Sequence, residues 1–144
     1  AGPFLEPAVR SALDQQGPTV EVLVVDDGSS DGSFENAIRL SKLEPRVVVL
    51  QTTANSGPGG ARNVGMNAMR GRWFAVLDAD DLLLPERSKR LMAVADRYGA
   101  DMIADNLLEF GEEIETRPMF AIAPRGGAKR LELHEYFERS RLFG

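Results

Sequence analysis

Val20-Glu21-Val22-Leu23-Val24-Val25 runs straight into Asp26-Asp27-Gly28-Ser29-Ser30-Asp31-Gly32, and this junction sets the fold class of the chain. The first part is almost wholly apolar and β-branched, as expected of a strand covered on both faces. The second is a turn in which Asp, Gly and Ser are ordinary residues. Upstream, Leu5, Ala8, Val9, Ala12 and Leu13 follow helical spacing until Gly17-Pro18 stops the pattern. Downstream, Phe34, Ala37, Ile38 and Ser41 give a second helix, which Ser30 or Asp31 is placed to cap and Pro45 closes. Arg46-Val47-Val48-Val49-Leu50-Gln51 is another buried-type strand.

The pattern then repeats. A glycine-rich loop, Thr52-Thr53-Ala54-Asn55-Ser56-Gly57-Pro58-Gly59-Gly60, leads into a helix whose apolar positions are Ala61, Val64, Gly65, Ala68 and Met69, with Gly71 as its stop. Trp73-Phe74-Ala75-Val76-Leu77 reads as a third buried strand, ending abruptly in Asp78-Ala79-Asp80-Asp81. Pro85 sits at a first helical position, and Leu91, Ala95 and Tyr98 mark the inward face of the next helix. A short strand over 101–105 follows, then a poorly patterned stretch with one strand expected over 119–123 and a last helix around Leu133, Tyr136 and Phe137. Strands alternating with helices imply βαβ units and an α/β, Rossmann-like domain with a mostly parallel sheet, here taken as a single domain over 1–144.

Composition narrows the function classes. With 17 basic and 22 acidic residues the net charge is −5, and no Lys/Arg stripe with interleaved aromatics occurs, so nucleic acid is disfavoured as a partner. The chain has no cysteine, which removes thiolate ligands and nucleophiles. Its longest apolar runs are a strand long, far short of the ~20 residues of a membrane span. The chain starts at Ala1 without Met, as a processed or excised piece would.

In a parallel sheet, ligands bind outside the carboxyl ends of the strands. Three features fall on that edge. Asp26 and Asp27 could orient a base or ribose. The loop before Ala61 permits close backbone approach, with Arg62 one turn inside the helix able to reach a phosphate. Asp78, Asp80 and Asp81 crowd so much negative charge into a short span that a hard cation bridging phosphate oxygens is the natural partner; as isolated features, they could equally favour the N-terminus of the following helix. The glycine loop matches neither the dinucleotide fingerprint nor the P-loop, which argues against both chemistries.

Taken together, Val24-Val25-Asp26-Asp27-Gly28-Ser29-Ser30-Asp31-Gly32-Ser33, Asn55-x-Gly57 with Ala61-Arg62-Asn63-x-Gly65, and Phe74-x-x-Leu77-Asp78-Ala79-Asp80-Asp81 with Pro85 resemble family-2 glycosyltransferases of the GT-A fold. The resemblance covers about Phe4 to Asn106. It implies an enzyme that transfers a sugar from a nucleotide diphosphate sugar to an acceptor hydroxyl with inversion, in polysaccharide or cell-envelope glycan synthesis, the acceptor being a glycan, a lipid-linked glycan or a protein. It further implies that Asp27, with Asp26 beside it, hydrogen-bonds the base, and that Asn55 and Arg62 line the nucleotide and diphosphate pocket. Asp78 and Asp80 match the Asp-x-Asp motif, the first on the ribose and the last on Mn²⁺ or Mg²⁺, with Asp81 able to share either task. A cytoplasmic location, or the inner face of a membrane for the full-length protein, is implied as well.

Two parts of the family pattern are lacking. Its first strand would precede Ala1, so the sheet is expected to have a gap flanked by apolar edges unless another segment or a second copy of the chain fills it. The general base would lie beyond Gly144, so this fragment is expected to lack that step; Asp105, Glu109, Glu112, Glu113 and Glu115 have no matching context, and His134 has the setting of a packed or surface residue. Two other readings stand beside this one: a sugar nucleotidyltransferase, and a non-catalytic nucleotide-binding fragment.

Overall fold

The computed structural model describes residues 1–105, 107–111 and 114–118. It falls into two compact units, Ala1–Lys89 and Arg90–Gly144.

The first unit is an α/β assembly built around two parallel strands, β1 (Val22–Asp26) and β2 (Val47–Gln51). They pair in register from Val22 opposite Val47 to Asp26 opposite Gln51, so their C-terminal ends lie side by side. Helices α1 (Leu5–Leu13) and α2 (Ser33–Leu43) pack on one face. Leu5, Val9, Ala37, Leu40 and Val47 form the buried core there, with Val22, Val24 and Val49 packed against it. The other face of β1 meets α3 (Gly57–Ala68). Gly65 is buried there, and a Cβ on it would lie 3.5 Å from Val25 Cγ2 and 3.8 Å from Phe74 Cε2. Valines alternating between two helical layers explain why β1 is apolar on both sides.

Several boundaries differ from those the sequence led us to expect. Gly32, not Ser30 or Asp31, is the N-cap of α2, and Asp31 instead accepts a hydrogen bond from the Ser33 amide at 3.1 Å. α3 ends at a Met69 C-cap in extended conformation, ahead of Gly71. Glu21 takes the Arg70 amide and Nε, each at 2.8 Å, which ties the chain down just past the helix.

The expected strand over 73–77 is not formed. Phe74 and Val76 are 37% and 47% exposed, and the segment makes no ladder among the described residues. Its composition suits a strand, but a strand exists only where a neighbour accepts its backbone hydrogen bonds.

What fixes the chain beyond the acidic turn is the end of α1 and the residues just after it. Gln15, only 7% exposed, donates from Nε2 to the Leu84 carbonyl at 2.8 Å and accepts from the Ser88 amide at 2.9 Å. Ser11 Oγ accepts from the Leu83 amide at 3.1 Å. These bonds satisfy the backbone of a segment with no regular structure of its own.

Helix α4 (Arg87–Tyr98) begins two residues after Pro85, which lies in the preceding turn, not at a first helical position. Ala95 is buried as expected, whereas Tyr98 is 39% exposed with the Arg97 guanidinium 5.4 Å from its ring centre. Residues 101–105 form no strand. The second unit instead contains an antiparallel hairpin, β3 (Leu108–Gly111) with β4 (Ile114–Pro118), in which Leu108 faces Pro118 and Gly111 faces Ile114. The strand expected over 119–123 and the last helix lie outside the described residues. No described helix is long and apolar enough to cross a membrane.

Candidate functional site

The carboxyl ends of β1 and β2 carry the first part of the site. Asp26 closes its own turn, accepting from the amides of Gly28 and Ser29 at 3.3 Å each, and from Gln51 Nε2 of the adjacent strand at 3.3 Å. Gly28 has φ +86°, a conformation other residues adopt reluctantly, and it lets the turn fold back on the carboxylate. Asp26 is 6% exposed. Burial pushes its pKa up, but the hydrogen bonds from Ser29, Gln51 and Gly28 outweigh it and leave the group below the ordinary aspartate range.

Asp27 reaches across to the glycine-rich loop. Its carboxylate accepts from Thr52 Oγ1 at 2.6 Å, from the Ser56 amide at 2.9 Å and from Ser56 Oγ at 3.0 Å. These bonds, Thr52's foremost, lower its pKa. Asn55, beside Ser56, is exposed.

The second part is the acidic turn. The Asp81 amide donates to the Asp78 carbonyl at 3.1 Å, so residues 78–81 fold as a β-turn, with Asp78, Asp80 and Asp81 all exposed. Arg62, from the second turn of α3, donates from Nη2 to Asp78 Oδ1 at 2.9 Å. The structure thus joins α3 to the Asp-x-Asp segment through one ion pair. Asp80 lies apart from that pair, on the wall of an open depression of about 490 Å³ shared with Gly2, Pro3, Phe4, Asp31 and Ala79.

Among the described residues, no three carboxylates or histidines stand together as a metal-holding group. Asp78, Asp80 and Asp81 therefore do not form a closed ligand set by themselves. Their chemistry still suits Mg²⁺ or Mn²⁺, hard ions that take one or two carboxylates and complete their shell with substrate phosphate oxygens and water. A site of that kind is open by construction.

The sequence profile described as Glycosyl transferase family 2 matches residues 1–141. The chain belongs to that family. Among similar proteins, the one described as Succinoglycan biosynthesis protein ExoO, of Rhizobium meliloti (strain 1021), is 43% identical over 136 residues, which is 94% of this chain and 38% of that protein. The putative teichuronic acid biosynthesis glycosyltransferase TuaG of Bacillus subtilis (strain 168) is 38% identical over 78 residues, 54% of this chain and 31% of that protein. An uncharacterized glycosyltransferase of Nostoc sp. (strain PCC 7120 / SAG 25.82 / UTEX 2576), alr2836, is 37% identical over 91 residues, 63% of this chain and 28% of that protein. The matched part of this glycosyltransferase-family chain thus spans between 28% and 38% of the length of these relatives.

Thr52 and Ser56 hold the two strand-end loops together, and Gln15 and Ser11 anchor the chain after the acidic turn; none of these four stood out in the sequence. Thr52 has a signal in retrospect, as the residue following the strand end that pairs with Asp26. For Gln15 there is none, because a polar residue at the end of a helix is ordinarily solvated.

Proposed function

We propose that this chain is the donor-binding part of a glycosyltransferase that moves a sugar from a nucleotide diphosphate sugar to an acceptor hydroxyl during polysaccharide synthesis. The observation that carries this reading is the pairing of Asp26 with Gln51 at the ends of two parallel strands, which sets the Asp27 turn and the glycine-rich loop side by side. The ion pair from Arg62 to Asp78 then ties the same loop's helix to the acidic turn. The names of the relatives from Rhizobium and Bacillus, one in succinoglycan and one in teichuronic acid biosynthesis, support a polysaccharide as the product. Family membership speaks against the sugar nucleotidyltransferase alternative.

In this reading the loop with Asn55 and the residues Asp26, Asp27 and Arg62 form the nucleotide pocket. Asp78 faces the ribose and shares with Asp80 and Asp81 the binding of Mg²⁺ or Mn²⁺. The cation supplies charge neutralisation at the departing diphosphate. Arg62 exchanges the Asp78 carboxylate for a diphosphate oxygen, two partners its planar fork serves equally well.

Isothermal titration of the chain with several nucleoside diphosphates, with and without Mn²⁺, tests the proposal. Binding is expected to require the cation and to be lost in Asp80→Ala. Equal affinity in wild type and variant would remove the metal assignment.

A further inference from the structure

We propose that Ser11 and Gln15 are positioning residues for the acidic turn: from the end of α1 they hold the backbone that follows Asp81, and so keep Asp80 and Asp81 where a cation beside a bound diphosphate takes them as ligands. This rests on the donor-binding reading above and goes beyond it, because neither residue belongs to the nucleotide pocket or to the acids themselves.

The turn has little of its own to hold it. Asp78, Asp80 and Asp81 are exposed, and the Arg62–Asp78 pair is solvated on both sides, a kind of contact that adds little. Ala79, between the acids, packs against the core cluster with one methyl group. Just downstream, Leu82 and Leu84 are 48% and 63% exposed, so their burial does little to fix the segment either.

Backbone bonds to the end of α1 do what burial does not. Ser11 Oγ donates to the Ala8 carbonyl at 2.8 Å within its own helix and accepts from the Leu83 amide at 3.1 Å. The Gln15 side-chain amide works from both ends. Nε2 donates to the Ser11 carbonyl at 3.2 Å and to the Leu84 carbonyl at 2.8 Å, while Oε1 accepts from the Ser88 amide at 2.9 Å. The bond to Ser11 orients the amide, so it presents a donor to residue 84 and an acceptor to residue 88. The Gln16 amide adds a bond to the Pro85 carbonyl at 2.8 Å. Gln15 is buried, and loss of a partner there leaves a buried polar group unsatisfied. The anchor is itself fixed, because α1 buries Leu5, Ala8, Val9 and Ala12.

Chain length carries the effect to the acids. Leu83 is two residues beyond Asp81, and two residues of extended chain span at most about 7 Å. With the Leu83 amide held, Asp81 is confined within that reach, and the turn that its own amide closes on the Asp78 carbonyl is confined with it. Close approach of the two segments points the same way. Gly17, at φ +100°, lies so near the chain after Ser88 that a Cβ on it would stand 3.2 Å from Lys89 Cβ.

Ser11→Ala, Ser11→Thr and Gln15→Leu are compared with wild type in two ways. Mn²⁺ is titrated in the presence of excess uridine, cytidine or guanosine diphosphate, with free Mn²⁺ read by electron paramagnetic resonance, and hydrogen exchange is followed at the Leu83 and Ser88 amides. Val47→Ala, a core substitution at the end of β2 away from the strand-end loops, is the control for lowered stability, and all titrations are run well below the melting temperatures. Both amides should be protected in wild type, with Leu83 released in Ser11→Ala and Ser88 in Gln15→Leu. A lost bond lets the turn occupy other positions, and the apparent affinity falls with the competent fraction. The Mn²⁺ midpoint should therefore rise about two- to tenfold in Ser11→Ala and further in Gln15→Leu. It should return to the wild-type value in Ser11→Thr and stay there in Val47→Ala. Should Gln15→Leu fail to fold, the Ser11 pair carries the test.

Midpoints that stay at the wild-type value although the amides are released would overturn the positioning role and leave donor binding standing. A Val47→Ala midpoint shifted as far as that of Ser11→Ala would do the same. Leu83 and Ser88 amides that exchange in wild type as fast as exposed loop amides would overturn the clamp itself, with no nucleotide needed. Protected amides in a wild type that takes up no Mn²⁺ with any of the three diphosphates would remove the donor-binding reading, and the positioning role with it.

Discussion

Arg62→Ala separates what the Arg62–Asp78 pair does for folding from what Arg62 does for a ligand. The guanidinium and carboxylate are 2.9 Å apart, but their side chains are 44% and 58% exposed, so the pair is largely solvated. Exposed pairs of this kind contribute about 0.2–1 kcal/mol. For a unit of this size 1 kcal/mol corresponds to roughly 4–8 °C in melting temperature, so the variant should melt no more than a few degrees lower. Against a diphosphate the same side chain makes charge-assisted bonds worth about 1.5–3 kcal/mol. Breaking the existing pair returns up to about 1 kcal/mol of that. The net loss of about 0.5–2.8 kcal/mol predicts nucleoside diphosphate affinity reduced by about 2- to 100-fold. Thermal melts and titration calorimetry, run at low and high salt, measure the two quantities side by side. Because counter-ions screen solvated charges, the deficit in binding should shrink as salt rises. A variant that binds nucleoside diphosphates within a factor of two of wild type would refute the reasoning; so would one that melts more than ten degrees lower, about the shift expected of a core residue.

Other outcomes follow from the packing and the buried acid. Leu40, 5% exposed in the core between α2 and the sheet, should cost about 2–5 kcal/mol on replacement by alanine, read as a lower urea midpoint; a loss under about 1 kcal/mol would mean that this core collapses readily. Gly65→Ala should be neutral or slightly stabilising, since the new Cβ meets Val25 at 3.5 Å in ordinary contact and a mid-helix glycine is itself unfavourable, while Gly65→Leu should destabilise by about 1–3 kcal/mol through overpacking. Equal stability of the two variants would place α3 farther from β1 than described. For pH, Asp26 and Asp27 both titrate below the usual 3.8 in the folded chain, so they bind fewer protons folded than unfolded. Their contribution is in full force above that value and fades as acid brings the pH down through their folded pKa values. Melting temperatures of wild type and Asp26→Asn should therefore differ most at neutral pH and converge below about pH 4; a gap that stays constant into that range would contradict the assignment.

Much of the first unit was legible because its pattern is dense and local. The apolar spacing of Leu5, Ala8, Val9, Ala12 and Leu13 gave α1, which stops at Leu13 ahead of the Gly17-Pro18 breaker, and the two valine-rich runs gave β1 and β2 to within two residues. The segment at 73–77 has equally strong strand composition and is not a strand, since composition reports what a side chain prefers and not whether a backbone partner is present. Tyr98 shares the limitation: helical spacing placed it inward, but only packing decides whether a residue at the end of a helix is covered. At the candidate site, residue types pointed to the acids and Arg62. The bonds that hold them, from Thr52, Ser56 and Gln15, join residues 25 to 73 positions apart and leave no local trace.

The open segment at 73–77 also bears on how this protein behaves in concentrated solution. Trp73-Phe74-Ala75-Val76-Leu77 carries no charge, no proline and no glycine, and its backbone is not spent on a ladder among the described residues. Trp73, Phe74 and Val76 are of high β propensity, and an uncharged run outside any ladder among the described residues is a template onto which another extended chain can add. The acids that follow at Asp78, Asp80 and Asp81, with Arg70 and Arg72 ahead, act as gatekeepers whose charge opposes stacking of one copy on the next. Colloidal stability thus falls to the same carboxylates that the proposed chemistry needs, and neutralising them by acid or by bound cations removes the guard along with the charge.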